Sequence, residues 1–423
     1  MTTTLAPGLA PVRQRLANGV TLLVKETHAQ PAVTINATMS VGSACDPPGV
    51  EGTAHLLSRL LDRGAGTRTA DEVADILDLR GVSPLISVTR HATTVTCDCL
   101  AEDVEMVLET VCDMLRAPRC PEAEIDTRRG QLLTQLRQDE DSPSTRAFEA
   151  VMTLLYGEDH PYGRRPKGSA ATLAGIDRHQ LLDFHAAWFA PDRLTLVLVG
   201  DIGVSAAVAA VTRVCGEWAS RAAPVPPLPP PPAQTRRRLV IPMPAKAQAD
   251  IVYGFTTILR SDPAFHAYRI MNNVLGQYGI GGRLGRSIRE RQGMAYYAGS
   301  MFEAGHIAGP LLVRAGVNAE NVDRAIASID TEVAQMARDG VTDEELTTAK
   351  RYLVGSIPRS LETNEGIARF LQTAEQFDLG LDYDSRLPGL VQSVTVGDVA
   401  DAARRTLVTE HASIVIAGPY EES

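Results

Sequence analysis

The segment Gly52-Thr-Ala-His55-Leu-Leu-Ser58-Arg59 puts a histidine where an inverted metal-binding helix, H-x-x-E-H, carries its first ligand. In that pattern two imidazoles four residues apart share one helix face, and the Glu between them acts as general base. Here Ser58 holds the position of the base and Arg59 that of the second imidazole. A guanidinium in a ligand position sets a permanent cation beside a dication, and even two unit charges about 4 Å apart repel by roughly 4 kcal/mol at an effective dielectric near 20. A serine hydroxyl is no proton acceptor near neutral pH. The segment therefore has the layout of a metal helix without the groups that do metal chemistry.

Other reactive side chains lie in plainer contexts. Arg283, Arg286 and Arg289 recur every three residues, the spacing of a solvated helix face. His179 and His185 fall on a predicted helix, with no acid or Cys partner expected at catalytic spacing, and no serine sits in a G-x-S-x-G elbow. The six cysteines lack a C-x-x-C spacing and lie mostly in apolar patterns, as small buried hydrophobes in a reducing cytoplasm do. Cys97 and Cys99 alternate along a strand-like run and are expected on one face.

The chain has ample material to hold these groups in place. Its 423 residues exceed one ordinary core, and 44% hydrophobic content supplies enough apolar material for two or more domains. A net charge of −10 argues against nucleic acid or an anionic membrane as partner. The first residues, Met-Thr-Thr-Thr-Leu-Ala-Pro-Gly, lack the charged and apolar regions of a secretory signal, which points to the cytoplasm. Ala101-Glu-Asp-Val-Glu105 and Ala319-Glu-Asn-Val-Asp323 open helical patterns 218 residues apart, and the strand-like runs ending at Gly200 and Gly418 are displaced by the same 218. That register predicts a duplicated domain: 1–222 and 236–423, joined by a proline-rich linker at 223–235. Alternating strands such as Thr93-Thr-Val-Thr-Cys-Asp-Cys, mixed with long helical patterns, predict two α+β domains with helices packed on one face of each sheet.

With Asn18-Gly-Val-Thr-Leu-Leu-Val, Val41-Gly-Ser-Ala-Cys-Asp-Pro-Pro-Gly-Val-Glu-Gly-Thr-Ala-His55, Leu154-Leu-Tyr-Gly157 and His160-Pro-Tyr-Gly163, the chain resembles the M16 (pitrilysin-like) zinc peptidases, and their short bacterial members in particular. The resemblance runs over essentially the whole chain. It implies two homologous domains, each a mostly antiparallel sheet, forming half of a clam that pairs with a second half around a peptide chamber. It aligns the third zinc ligand of the family, a Glu, with Gln135, and a further acidic residue with Arg128. His55, Ser58, Arg59 and Gln135 are then degenerate zinc-site positions, and neither metal nor cofactor is expected in this chain.

The resemblance also aligns Arg289 and Tyr296, within Gly279-Ile-Gly-Gly282-Arg-Leu-Gly-Arg-Ser-Ile-Arg289-Glu-Arg-Gln-Gly-Met-Ala-Tyr296, with an Arg/Tyr pair that such peptidases contribute from the domain facing the zinc. A guanidinium and a phenol can hold a substrate carbonyl and stabilise charge developing on its oxygen. Gly281 and Gly282 let a loop backbone approach bound peptide, or else form an ordinary turn. The implied role is a co-catalytic subunit of a heterodimer. A zinc-bearing M16-like partner supplies zinc, both His, the Glu ligand and the base, while this chain adds Arg289, Tyr296 and a substrate-binding strand around 82–95 for unfolded peptides. The alternative is a structural or peptide-binding module with no part in proteolysis.

Overall fold

The computed structural model describes residues 8–219, 221–224, 227–277 and 281–421. The amino-terminal heptapeptide read above for a signal, Val225 and Pro226 of the linker, and Gly279 and Ile280 of the glycine-rich motif lie outside the described residues. The chain divides into two compact units.

The first unit is built on a sheet of six strands: β1 (Val12–Arg15), β2 (Thr21–Glu26), β3 (Ala32–Met39), β4 (Leu85–Val88), β5 (Thr93–Leu100) and β6 (Leu194–Gly200), in the order β1-β2-β6-β3-β5-β4. Neighbours run antiparallel except β2 and β6. β5 shows the alternation expected of it, with Thr93, Val95, Cys97 and Cys99 buried on one face. Leu22, Val24, Leu196 and Leu198 join the main core with Leu56, Leu60, Leu108 and Val111 from the helical layer. The intervening Leu23, Val197 and Val199 point the other way.

The second unit repeats the plan with β7 (Arg237–Pro242), β8 (Ala249–Thr256), β9 (Ala295–Phe302), β10 (Pro310–Val317) and β11 (Ser413–Gly418), ordered β7-β11-β8-β10-β9, again with one parallel pair, β7 and β11. The architecture is two-domain α+β, and the duplication reaches single residues. Gly200 and Gly418 both have positive φ, +141° and +147°, and a Cβ at either would fall 2.1 Å from the Ala32 carbonyl oxygen or 2.5 Å from Ala249 Cα. Only glycine fits both the torsion and the space.

The halves also exchange a helix. Pro143–Tyr156 belongs to the second unit, where Val151, Met152 and Leu155 pack with Val252, Leu312 and Val415. Asn364–Gln376 belongs to the first unit, where Ile367, Ala368 and Leu371 cover Leu23, Val197 and Val199. Each central strand is thereby buried on both faces, which explains the nearly unbroken burial along β3, β6, β8 and β11.

Candidate functional site

In the first unit the helix Thr53–Ser58 is fixed at its amino-terminal end. The buried Asp46 carboxylate accepts from the backbone N–H groups of Gly52 and Ala54, both at 2.8 Å, and Gly52 turns the chain at φ +98°. Leu56, Leu57, Leu60 and Leu61 bury the opposite side, which leaves half-buried His55 and Arg59 on the open face. Arg59 Nη2 donates to Gln135 Oε1 at 2.7 Å, so the helix Glu122–Glu140 presents Gln135 to the His55 helix. Ser58 Oγ donates to the carbonyl of His55 at 2.8 Å. Arg128 pairs with Glu124 at 3.0 Å. These groups open onto a cleft of about 460 Å³ lined by His55, Ser58, Arg59, Arg63, Arg128 and Gln131, with Pro84, Ile86, Ser87 and Val88 as its other wall. That wall is β4, the edge of the sheet, which lies inside the 82–95 segment. Among the described residues no group of three or more His, Cys, Asp or Glu side chains is arranged to hold a metal ion.

In the second unit Arg289 lies on a π-helix, Gly285–Arg291, that packs against β9. Wide turns of this kind recur at functional sites. Arg283 and Arg286 share Glu345: Arg283 grips both carboxylate oxygens at 2.9 and 2.6 Å and Arg286 lies at 3.6 Å. Burial pushes the Glu345 carboxyl up, but Arg283 and the Thr342 backbone N–H outweigh it and hold it below its ordinary value. Arg289 is the exception. Its side chain is one-third exposed and its nearest carboxylate is the adjacent Glu290, at 3.5 Å.

Tyr296 stands on edge strand β9 at a bulge. Tyr297 pairs with Gly316 and Ala295 with Val317, so Tyr296 has no residue opposite it. An extra residue of this kind bends the strand and re-aims its side chain. Tyr296 is 82% exposed, and its hydroxyl makes no hydrogen bond among the described residues. The bulge is held by a group that no sequence motif marks: the Tyr297 hydroxyl donates to the buried Asp250 carboxylate across Gly316, where a Cβ would fall 2.6 Å from the Tyr297 ring.

The glycines divide. Gly282 is buried, and a Cβ there would meet Gly276 Cα at 2.8 Å, so its smallness serves close chain packing. Gly281 lines a second cleft, of about 400 Å³, with Asn273, Arg286 and Glu345. His179, expected to lack an acid, has Asp183 at 2.9 Å one turn along its helix, with both side chains well exposed; the i, i+4 spacing was present in the sequence. Half-buried His185 bonds the Leu115 carbonyl at 2.8 Å, and His160 of the His-Pro-Tyr-Gly run stacks on Tyr156 and accepts from Tyr162 N at 3.0 Å. All six cysteines are free, and burial pushes the Cys97 and Cys99 thiols up to about 12.

Residues 21–164 match the family described as Insulinase (Peptidase family M16), and residues 175–353 match the Peptidase M16 inactive domain, which together take in more than half of the chain. The chain belongs to the M16 peptidase family. It is 26% identical over 418 residues to an uncharacterized zinc protease of Mycobacterium tuberculosis, covering 98% of this chain and 94% of that one. Among solved structures, a peptidase M16 inactive domain from Pseudomonas fluorescens superposes with a TM-score of 0.90 at 25% identity, covering 97% and 98% of the two chains. A protease from Helicobacter pylori shares the fold at 0.89 and 18% identity, over 96% and 99%. In this short M16 chain the first family match contains His55, Arg59 and Gln135, and the second contains Arg289 and Tyr296. No helix among the described residues is long and apolar enough to cross a membrane.

Proposed function

We propose that this M16 chain is the non-catalytic member of a heterodimeric zinc peptidase acting on unfolded peptides, and that it lends Arg289 and Tyr296 to the zinc site of a zinc-bearing M16-like subunit. The observation that carries the reading is the presentation of Tyr296, a large aromatic residue 82% exposed on a bulge, its hydroxyl uncommitted, while its neighbour Tyr297 is anchored below. Two donors of this kind suit a substrate carbonyl whose oxygen gains charge in the transition state. The cleft of this chain does not fit zinc, which takes three N, S or carboxylate ligands. His55 is a single imidazole, Arg59 is a cation bonded to an amide, and the Ser58 hydroxyl is spent on a backbone carbonyl. Zinc in the partner supplies a Lewis acid and an activated water. Here, β4 is an open edge for an extended peptide, and Gly281 lines a cleft within the second unit. Free buried cysteines accord with a cytoplasmic setting, and we keep 1–222, 223–235 and 236–423 as the two ancestral halves and their linker.

Turnover in the assembled complex tests this reading. Tyr296→Phe and Arg289→Ala should each lower kcat by about 10²–10³ while leaving partner affinity and melting temperature unchanged. Unaltered kcat in a fully assembled Tyr296→Phe complex would instead favour a peptide-binding module without a role in proteolysis.

A further inference from the structure

The cleft beside His55 has the electrostatic sign opposite to that of a metal site. Arg59, Arg63, Arg128 and His55 line it against one carboxylate, Asp62. Arg63 is paired with Asp62 at 2.8 Å and Arg128 with Glu124 at 3.0 Å. All three have a buried Nε without an acceptor, but Arg59 differs in its partner: it donates to the neutral amide oxygen of Gln135 and touches no carboxylate among the described residues. A guanidinium carries five N–H donors in a planar fork that matches a carboxylate, and a partly buried cation gains most from an anion. This basic cleft sits in a chain of net charge −10, where a locally positive recess focuses the field on an acidic ligand.

The opposite wall says what form that ligand takes. β4 ends the sheet and pairs only with β5, so its outer edge offers backbone groups to an extended chain. Residues of an added strand point alternately to the two faces, so every second side chain can turn toward the cleft. A recess of about 460 Å³ accepts side chains and not a folded domain.

We infer that the cleft bounded by β4 and Arg59 is a subsite for an acidic side chain of an extended peptide, the Arg59 guanidinium binding its carboxylate. The inference rests on the reading that this chain takes unfolded peptides, and it names their class: sequences with Glu or Asp where the strand passes Arg59. The replacement of a zinc ligand by arginine is on this view an exchange of ligand, from a metal cation to a peptide anion.

The experiment uses the purified full chain and needs neither partner nor turnover, so its failure is separate from that of the Tyr296 test. The probes are fluorescently labelled, end-blocked peptides, acetyl-Thr-Val-Glu-Val-Thr-amide and its Gln counterpart, whose only charge difference is the side chain. Binding is followed by anisotropy, with glutarate and inorganic phosphate as competitors. The Glu peptide should bind about 10- to 100-fold more tightly than the Gln peptide, the range of a charge-assisted hydrogen bond. Arg59→Gln should bring the two within about twofold, with melting temperature as the control for folding, and Arg59→Lys should restore part of the gap because it restores charge without the fork. Equal binding of the two peptides by the unaltered chain, which requires no variant to fold, overturns the inference. So does a gap that survives in folded Arg59→Gln. Phosphate competing as well as the Glu peptide would assign the site to a free anion and overturn the peptide source.

Discussion

Tyr296 and Tyr297 are chain neighbours in opposite surroundings, and they should answer mutation in opposite ways. The Tyr297 hydroxyl reaches the buried Asp250 carboxylate, and burial, then that bond, pushes its pKa well above the ordinary phenol value. Tyr297→Phe leaves Asp250 without its donor and should cost about 1–3 kcal/mol in urea unfolding, whereas Tyr296→Phe, at an exposed position, should stay within about 0.5 kcal/mol. Equal stability losses would contradict the division into anchor and presented residue. Histidines contribute to the acid sensitivity. Burial first, then Arg269 and Arg260, holds His266 down to about 4, from an ordinary 6.5, and burial also lowers His185 and His306. Between those two values the unfolded chain binds a proton that the folded chain refuses, so this stability is present above pH 6.5 and is lost as pH falls toward 4. His266→Phe should flatten the urea midpoint against pH across that window; an unchanged slope would place the acid sensitivity elsewhere. The residue types at Ser58, Arg59 and Gln135, on which the proposed loss of zinc rests, were legible in the sequence because ligand chemistry is read from residue type. The bulge under Tyr296 was not, since it depends on which residue of β10 stands opposite.

At the scale of elements the repeat was legible and the exchange of helices was not. Gly200 and Gly418, at the ends of β6 and β11, fall at the 218-residue displacement because the same chain path recurs in both sheets; β3 and β8 start 217 residues apart and β2 and β7 216. Pro143–Tyr156 and Asn364–Gln376 each show an apolar stripe, but a stripe specifies burial and not the sheet that accepts it, and the two sheets offer equivalent apolar faces. The edge strands diverged in the same way. β4 and β9 occupy matching ends of their sheets, yet one lines the basic cleft and the other carries Tyr296. Leu371→Ala, a fully buried truncation, should cost about 2–5 kcal/mol and raise hydrogen exchange in β3 and β6, where its helix packs, before it does so in β8 and β11. Exchange rising first in β8 would contradict the assignment of that helix to the first unit.

For the whole molecule, duplication of one domain supplied two edges that could specialise. On the proposed reading β4 and Arg59 hold peptide, while β9 and Arg289 present donors to chemistry performed by another subunit. Both roles depend on the chain having exchanged its own metal chemistry for binding. The decisive measurement is the zinc content of the purified chain by elemental analysis, alongside a fluorogenic-peptide assay. Zinc far below stoichiometry and no cleavage are expected, because of His55, Ser58, Arg59 and Gln135 only His55 is of a type that ligates zinc. One tightly held zinc per chain with chelator-sensitive cleavage would contradict that exchange.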